Sequence, residues 1–252
     1  MNPRIAVVFV SYLKVPESRL LEHFEWNGEI YREYGDQLRV YVVSDVPRPV
    51  PEYAETVVFP LERLPIVDGQ RRFSLTMTKN AGIAKAIEDG ASVVVSTDVD
   101  ITFDWDSFAM VTHIGRVPSV SAAVVPVYRM VPSFAERHAG RLDHGCTGTV
   151  AMTASNWQRI KYDERCVGYG ADDGILLQDI KRAGLEVIRD CQVAHIAHVQ
   201  GDGARTPGSG SSTCWGRDDG FNFDNFQRNR QLHNARQQEQ RRRRRRRRRP
   251  RT

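Results

Sequence analysis

Residues 73–101 read FSLTMTKNAGIAKAIEDGASVVVSTDVDI, and the hydrophobic period changes partway through them. From Ser74 to Asp89 the spacing is helical, with Ile83 and Ile87 four apart and Gly90 placed as a C-terminal cap. From Ser92 to Thr97 the chain becomes a continuous apolar run that reads as a buried strand, ending in Asp98-Val99-Asp100. The same alternation extends toward the N-terminus. Arg4 to Ser11 reads as a strand. Pro16 and Glu17 then suit the first turn of a helix carrying Leu20, Phe24, Tyr31 and Tyr34 on one face. Leu38 to Ser44 and Thr56 to Phe59 read as further strands. Strand, helix and strand in alternation predict an α/β fold: a mostly parallel sheet flanked by helices, in a single domain.

The second half is more mixed. Val120 to Val127 and Thr149 to Thr153 read as strands, Asp172 to Ala183 as a helix closed by Gly184, and Leu185 to Ile188 as a strand. Residues 201–220, rich in Gly, Ser and Asp, read as a mobile loop. The expected division is a catalytic domain over residues 1–235 and a disordered Arg-rich tail over 236–252.

A chain of 252 residues with 40% hydrophobic content is large enough for one sizeable core. Ile5 to Val10 is too short for a membrane span and lacks a secretory cleavage site, so the expected location is the cytoplasm, or the host cytoplasm if the protein is viral. Cys146, Cys166, Cys191 and Cys214 form no CxxC pair, which reads as reduced thiols. The formal net charge of +5 conceals an asymmetry: residues 241–252 hold ten arginines and no acid, while residues 1–240 carry 26 basic against 31 acidic residues. Attraction to a polyanion therefore belongs to the tail.

Asp98 and Asp100 sit at the carboxyl end of a strand, where open parallel sheets collect ligands. Two acids in this arrangement can divide the work, one addressing a ribose hydroxyl and the other a divalent cation that neutralises a diphosphate. The structural alternative is an acidic turn capping Phe103 and Trp105. The second acidic feature is GYGADDGILLQDIKRAG, residues 168–184. An acid at a helix N-terminus is held ionised by the helix dipole, as a general base requires, although Asp also caps helices with no catalytic role. A third feature is AHIAHV, which spaces His195 and His198 three apart.

The stretch from Phe73 to Ile101 resembles the segment leading into the DxD motif of GT-A (Rossmann-like) glycosyltransferases, in particular the family 2 enzymes and the β-1,4-galactosyltransferase group. Residues 168–184 are similar to the G-W-G-G-E-D-D segment of that group and to the G-x-G-x-E-D of related family 2 and family 27 enzymes. The resemblance implies an aromatic contact to uracil at Phe73 and donor contacts at Asp98, Val99 and Tyr169. It also implies Asp173 as catalytic base with Asp172 beside it, and a metal shell including Asp100, His198 and His195. Ser11, Tyr12 and Asp45 are expected nucleoside contacts. Mixed imidazole and carboxylate ligands suit Mn²⁺, with Mg²⁺ as the alternative. Two positions depart from the family pattern: Leu75 stands where the galactosyltransferases carry an arginine, and FVSYLK lacks the usual proline.

The resemblance implies an inverting transfer of a sugar from a nucleotide diphosphate donor, UDP in the galactosyltransferase group, to an acceptor hydroxyl. The tail Arg241–Arg249 suggests nucleic acid as a partner, with a hydroxymethyl pyrimidine in DNA as one acceptor, as for some viral glycosyltransferases. Protein and carbohydrate acceptors are the alternative. Among other classes, a nucleotidyltransferase would carry a Gly-rich phosphate loop, which SYLKVPES lacks. A non-catalytic nucleic-acid-binding protein would leave both acidic motifs idle.

Overall fold

The computed structural model describes residues 4–12, 15–67, 69–114, 122–144, 148–167, 172–196, 228–238 and 242. The strands are β1 (Ile5–Val10), β2 (Leu38–Ser44), β3 (Ala54–Val58), β4 (Ile66–Val67), β5 (Gln70–Arg71), β6 (Val93–Ser96), β7 (Ile101–Thr102), β8 (Ala122–Val124), β9 (Val127–Val131), β10 (Arg141–Asp143), β11 (Val150–Thr153), β12 (Glu186–Ile188) and β13 (Gln192–Ile196). The helices are α1 (Glu17–Glu33), α2 (Leu75–Glu88), α3 (Trp105–His113), α4 (Ala154–Arg159) and α5 (Asp172–Arg182), with a further helix, α6, over residues 228–238.

Seven strands form the main sheet in the order β12-β8-β11-β6-β1-β2-β3. All its pairings are parallel except those of β11, which runs antiparallel to both β6 and β8. The first crossover from β1 leads to β2 on one side, and β6 joins β1 on the other. The order therefore reverses between β1 and β6, and the carboxyl ends at such a switch point are where open α/β sheets form a ligand crevice. β1 and β6 are fully buried along their length, which explains why both read as unbroken apolar runs. Val7, Val40 and Val95 join α1 and α3 residues in one apolar cluster; Val8, Tyr41 and Val94 join α2 residues in the other.

The helix over residues 75–88 forms as its sequence predicts. Ser74 caps its N-terminus by accepting from the Met77 amide at 3.3 Å, and Gly90 follows with φ +90°. Gly82 lets this helix lie close on the sheet, because a Cβ there would meet Val8 Cγ1 and Val43 Cγ2 at 2.5 Å each.

A second, four-stranded sheet in the order β10-β9-β13-β7 is not evident from the sequence. The expected single strand over Val120 to Val127 is instead divided: β8 belongs to the main sheet and β9 to the second, with Val125 and Pro126 at the passage between them. Proline has no amide to donate, so the ladder breaks there. The tail is expected to start at residue 236. Residues 236–238 are helical, and Arg236 pairs with Asp163 at 2.7 Å and with Asp179. Two carboxylates on the body hold this arginine in the fold, whatever the low-complexity run beyond it does. The expected mobile loop 201–220 lies outside the described residues. No described helix is long and apolar enough to cross a membrane.

Replacing Gly82 with Ala should destabilise the protein by about 1–3 kcal/mol, because the added methyl overpacks a rigid helix–sheet contact. Urea unfolding followed by circular dichroism measures the change, and a midpoint equal to that of the wild type would contradict it.

Candidate active site

At the carboxyl end of β6 the chain leaves the sheet as Thr97-Asp98-Val99-Asp100 and re-enters strand structure at β7. Asp98 faces a lysine that the sequence reading did not single out. Lys79, on α2, is completely buried and places its Nζ 2.8 Å from Asp98 Oδ1. The same ammonium lies 5.3 Å from the centre of the Tyr162 ring and 3.4 Å from the Gly148 carbonyl oxygen. Burial works against its charge, but Asp98, Tyr162 and Asp173 outweigh burial and raise its pKa well above the usual lysine value. Lys79 is therefore charged. The signal available in the sequence was a cation on the face of α2 that also carries Leu75, Gly82 and Ala86, all buried.

Gly148 lies directly against Asp98, since a Cβ there would meet Asp98 Oδ2 at 2.3 Å and the Tyr128 hydroxyl at 2.8 Å. Thr149 accompanies it, within hydrogen-bond distance of the Thr97 and Tyr128 hydroxyls at 2.8 and 3.0 Å.

Asp100 is 6% exposed, and its Oδ2 lies 3.4 Å from His195 Nε2. Strand pairing produces this contact: His195 is in register with Ile101 across the antiparallel β7–β13 pair, and the Ile196 amide donates to the Asp100 carbonyl at 3.2 Å. Tyr128 stacks on His195 with centroids 5.4 Å apart. A carboxylate beside an imidazole is a mixed O/N donor set of the kind that fits Mn²⁺. Among the described residues no group of three such ligands comes together, and His198 lies outside them.

Asp172 and Asp173 open α5, as the sequence predicts. Asp172 is 3% exposed; Asp173 is partly buried, and its Oδ1 has no hydrogen-bond partner among the described residues. Desolvation, then repulsion from Asp172, with a smaller contribution from Asp98, pushes the Asp173 carboxyl well above the usual carboxylate range, and Lys79 opposes them. Burial and Asp172 therefore work against the helix dipole, which is expected to hold this acid ionised. Asp173 thus interacts electrostatically with both Lys79 and Asp98.

The expected nucleoside contacts are only partly open to a ligand. Tyr12 and Phe73 do meet, with centroids 5.2 Å apart, but they are 2% and 4% exposed. The Tyr12 hydroxyl donates to the Phe59 carbonyl at 2.7 Å, and burial followed by Asp45 pushes its pKa up to about 12. Ser11 is fully buried, and its amide donates to Val43. Asp45 follows β2 beside Arg48, 3.6 Å away. The Val99 side chain turns into the core. Tyr169 lies outside the described residues.

No protein-family model matches the chain, and no curated protein matches it. Solved structures do. The mannosyltransferase PcManGT from Pyrobaculum calidifontis, in complex with GDP-Man and Mn²⁺, superimposes with a TM-score of 0.51 at 17% identity, covering 81% of this chain and 59% of that one. The fold is GT-A. The catalytic domain of Drosophila β1,4-galactosyltransferase 7, in complex with xylobiose, is also similar, with a TM-score of 0.49 at 15% identity over 77% of this chain and 71% of that one. The Asp98–Asp100 motif follows β6, beside the switch point between β1 and β6.

Two substitutions probe this electrostatic centre. Lys79→Met should cost about 3 kcal/mol of stability, the low end for removing one partner of a buried pair, because Asp98 keeps some contact with water. A loss below about 1 kcal/mol in chemical denaturation would contradict a structural role for the pair. Asp173→Asn should instead raise the melting temperature at neutral pH. A carboxyl whose folded pKa is raised loses stability as pH rises from its unfolded value through its folded one, and an amide does not titrate. The difference between variant and wild type should shrink as the pH falls toward 4, and a pH-independent difference would contradict the assignment.

Proposed function

We propose that the chain is a metal-dependent inverting glycosyltransferase that moves a sugar from a nucleoside diphosphate to an acceptor hydroxyl. One observation carries this reading: the buried Lys79 ammonium pairs with Asp98 and interacts electrostatically with Asp173, while Asp100, two residues beyond Asp98, lies beside His195. The fold supports it, and the similar mannosyltransferase structure contains GDP-Man and Mn²⁺.

Asp98 positions the nucleotide, and Lys79 holds the Asp98 carboxylate in one direction. Asp100 and His195, with His198 after them in sequence, are the residues that would hold Mn²⁺ or Mg²⁺. Such an ion supplies positive charge for the departing diphosphate. Asp173 accepts the proton of the attacking hydroxyl. A base whose pKa lies above the carboxylate range exerts a stronger pull on that proton once ionised, at the cost of being ionised less often. Asp172 contributes to raising that pKa, which gives it a role beside the base. Uridine as the donor base rests on the resemblance of Phe73 and its surroundings to the galactosyltransferase segment.

For the acceptor we favour a polyanion, with a hydroxymethyl pyrimidine in DNA as one candidate. The reason is that the ten arginines of residues 241–252 adjoin a body of net negative charge. Carbohydrate and protein acceptors are the alternative. The catalytic unit extends through residue 238, because α6 is anchored to the body by Arg236.

A thermal-shift panel of nucleotide sugars, each with and without Mn²⁺, tests the activity class. The expected result is stabilisation by one or two donors only when the metal is present, abolished by Asp100→Asn. Asp173→Asn should retain that shift while losing at least about 10²-fold in transfer rate. Stabilisation by DNA alone, with no donor response, would overturn the enzyme reading. The acceptor is tested by deleting residues 239–252. Activity on DNA should fall and lose its salt dependence, and unchanged, salt-insensitive activity would exclude the tether.

A further inference from the structure

Helix α1 carries three polar side chains on its buried face, one turn apart: His23, Asn27 and Tyr31, all 0% exposed. Burying polar groups in an apolar core is costly unless each finds a partner. Here the partners lie in the acidic segment. His23 Nδ1 is 3.0 Å from the Val99 carbonyl oxygen. A carbonyl only accepts, so Nδ1 carries the proton and Nε2 is left to accept from the Tyr31 hydroxyl, 3.1 Å away. Burial lowers the His23 pKa to about 4, consistent with this neutral tautomer. Asn27 Nδ2 donates to the Ile101 carbonyl at 3.0 Å, and its Oδ1 accepts from the Phe103 amide at 2.9 Å. The Phe103 donor fixes which way the amide points.

Between the end of β6 and β7 the backbone leaves the main sheet, so its polar groups cannot all be satisfied by ladder bonds. We propose that His23 and Asn27 are positioning residues: they clamp the backbone at Val99, Ile101 and Phe103 and thereby set the directions in which Asp98 and Asp100 project into the crevice. Tyr31 fixes the His23 ring. The device consists of side chains spaced i, i+4 and i+8 on a single helix, and none of them touches the crevice. It rests on the reading of Asp100 as a metal ligand, and its effect belongs to the class in which outer partners orient the groups that bind an ion.

The test uses the full chain carrying Asn27→Leu, His23→Phe or His23→Asn. Leu20→Ala serves as the control, a buried site on the same helix with no hydrogen bond to the segment. Mn²⁺ is titrated in the presence of UDP or GDP, whichever the wild type binds, and amide hydrogen exchange of residues 99–103 is followed in parallel. Asn27→Leu and His23→Phe should weaken Mn²⁺ binding about 10-fold or more and speed exchange at Phe103. His23→Asn, whose amide can still donate to Val99, should recover most of the affinity. Leu20→Ala should lose stability while leaving Mn²⁺ affinity within about 2-fold of wild type. Wild-type affinity in both Asn27→Leu and His23→Phe overturns the proposal, and so does equal weakening in Leu20→Ala. If Asn27→Leu does not fold, the two His23 variants decide. If the wild type binds neither metal nor nucleotide, the glycosyltransferase reading fails, and exchange alone decides the clamp: unchanged protection in Asn27→Leu and His23→Phe overturns it.

Discussion

The buried contact between the Lys79 ammonium and the Asp98 carboxylate is the constraint around which the crevice is arranged. An ammonium with no access to water is tolerable only if its surroundings are anionic and well placed. Asp98, the Gly148 carbonyl, the face of Tyr162 and the nearby Asp173 supply those surroundings from four separate parts of the chain. The pair thus links α2 to the end of β6, to the approach to β11 and to the start of α5. It also explains why residue 148 is glycine, since any side chain would displace the Asp98 carboxylate.

The two acidic motifs are positioned by different means. Asp98 and Asp100 follow a strand of the main sheet and are held from below by α1, while the second sheet delivers His195 to Asp100 through the register of β7 against β13. Asp172 and Asp173 begin a helix, and α6 steadies the chain that leads into it. Asn229 pairs with both the amide and the carbonyl of Val167, and the His233 ring packs against Gly174. The C-terminal helix is therefore part of the support for the proposed base, and a polyanion bound by the arginines beyond it would lie within a short distance along the chain from that support.

Much of the central fold was legible in sequence, because β1, β2 and β6 are buried on both faces and their β-branched runs leave no other reading. The α2 boundaries were legible for a local reason, a Ser cap at one end and a Gly stop at the other. The second sheet was not legible. Its strands are two to five residues long, and β13 finds both its partners far away in sequence, so no local period marks the sheet. The candidate site divides in the same way. Asp98, Asp100, Asp172 and Asp173 stood out because each follows or opens a regular element. Lys79, His23 and Asn27 did not, because a polar residue within a helix is ordinarily on its wet side.

What the sequence determined by itself was the order of the elements and the position of each acid at the end of a strand or the start of a helix, since both follow from periods of a few residues. What only the tertiary structure decided was the charge environment of those acids. Whether a carboxylate is ionised depends on the atoms packed around it, and those at Asp173 come from α2, the end of β6 and its own neighbour Asp172. The long-range packing that sets Lys79 against Asp98 and Asp173 leaves only a faint local trace, a lysine on the apolar face of α2.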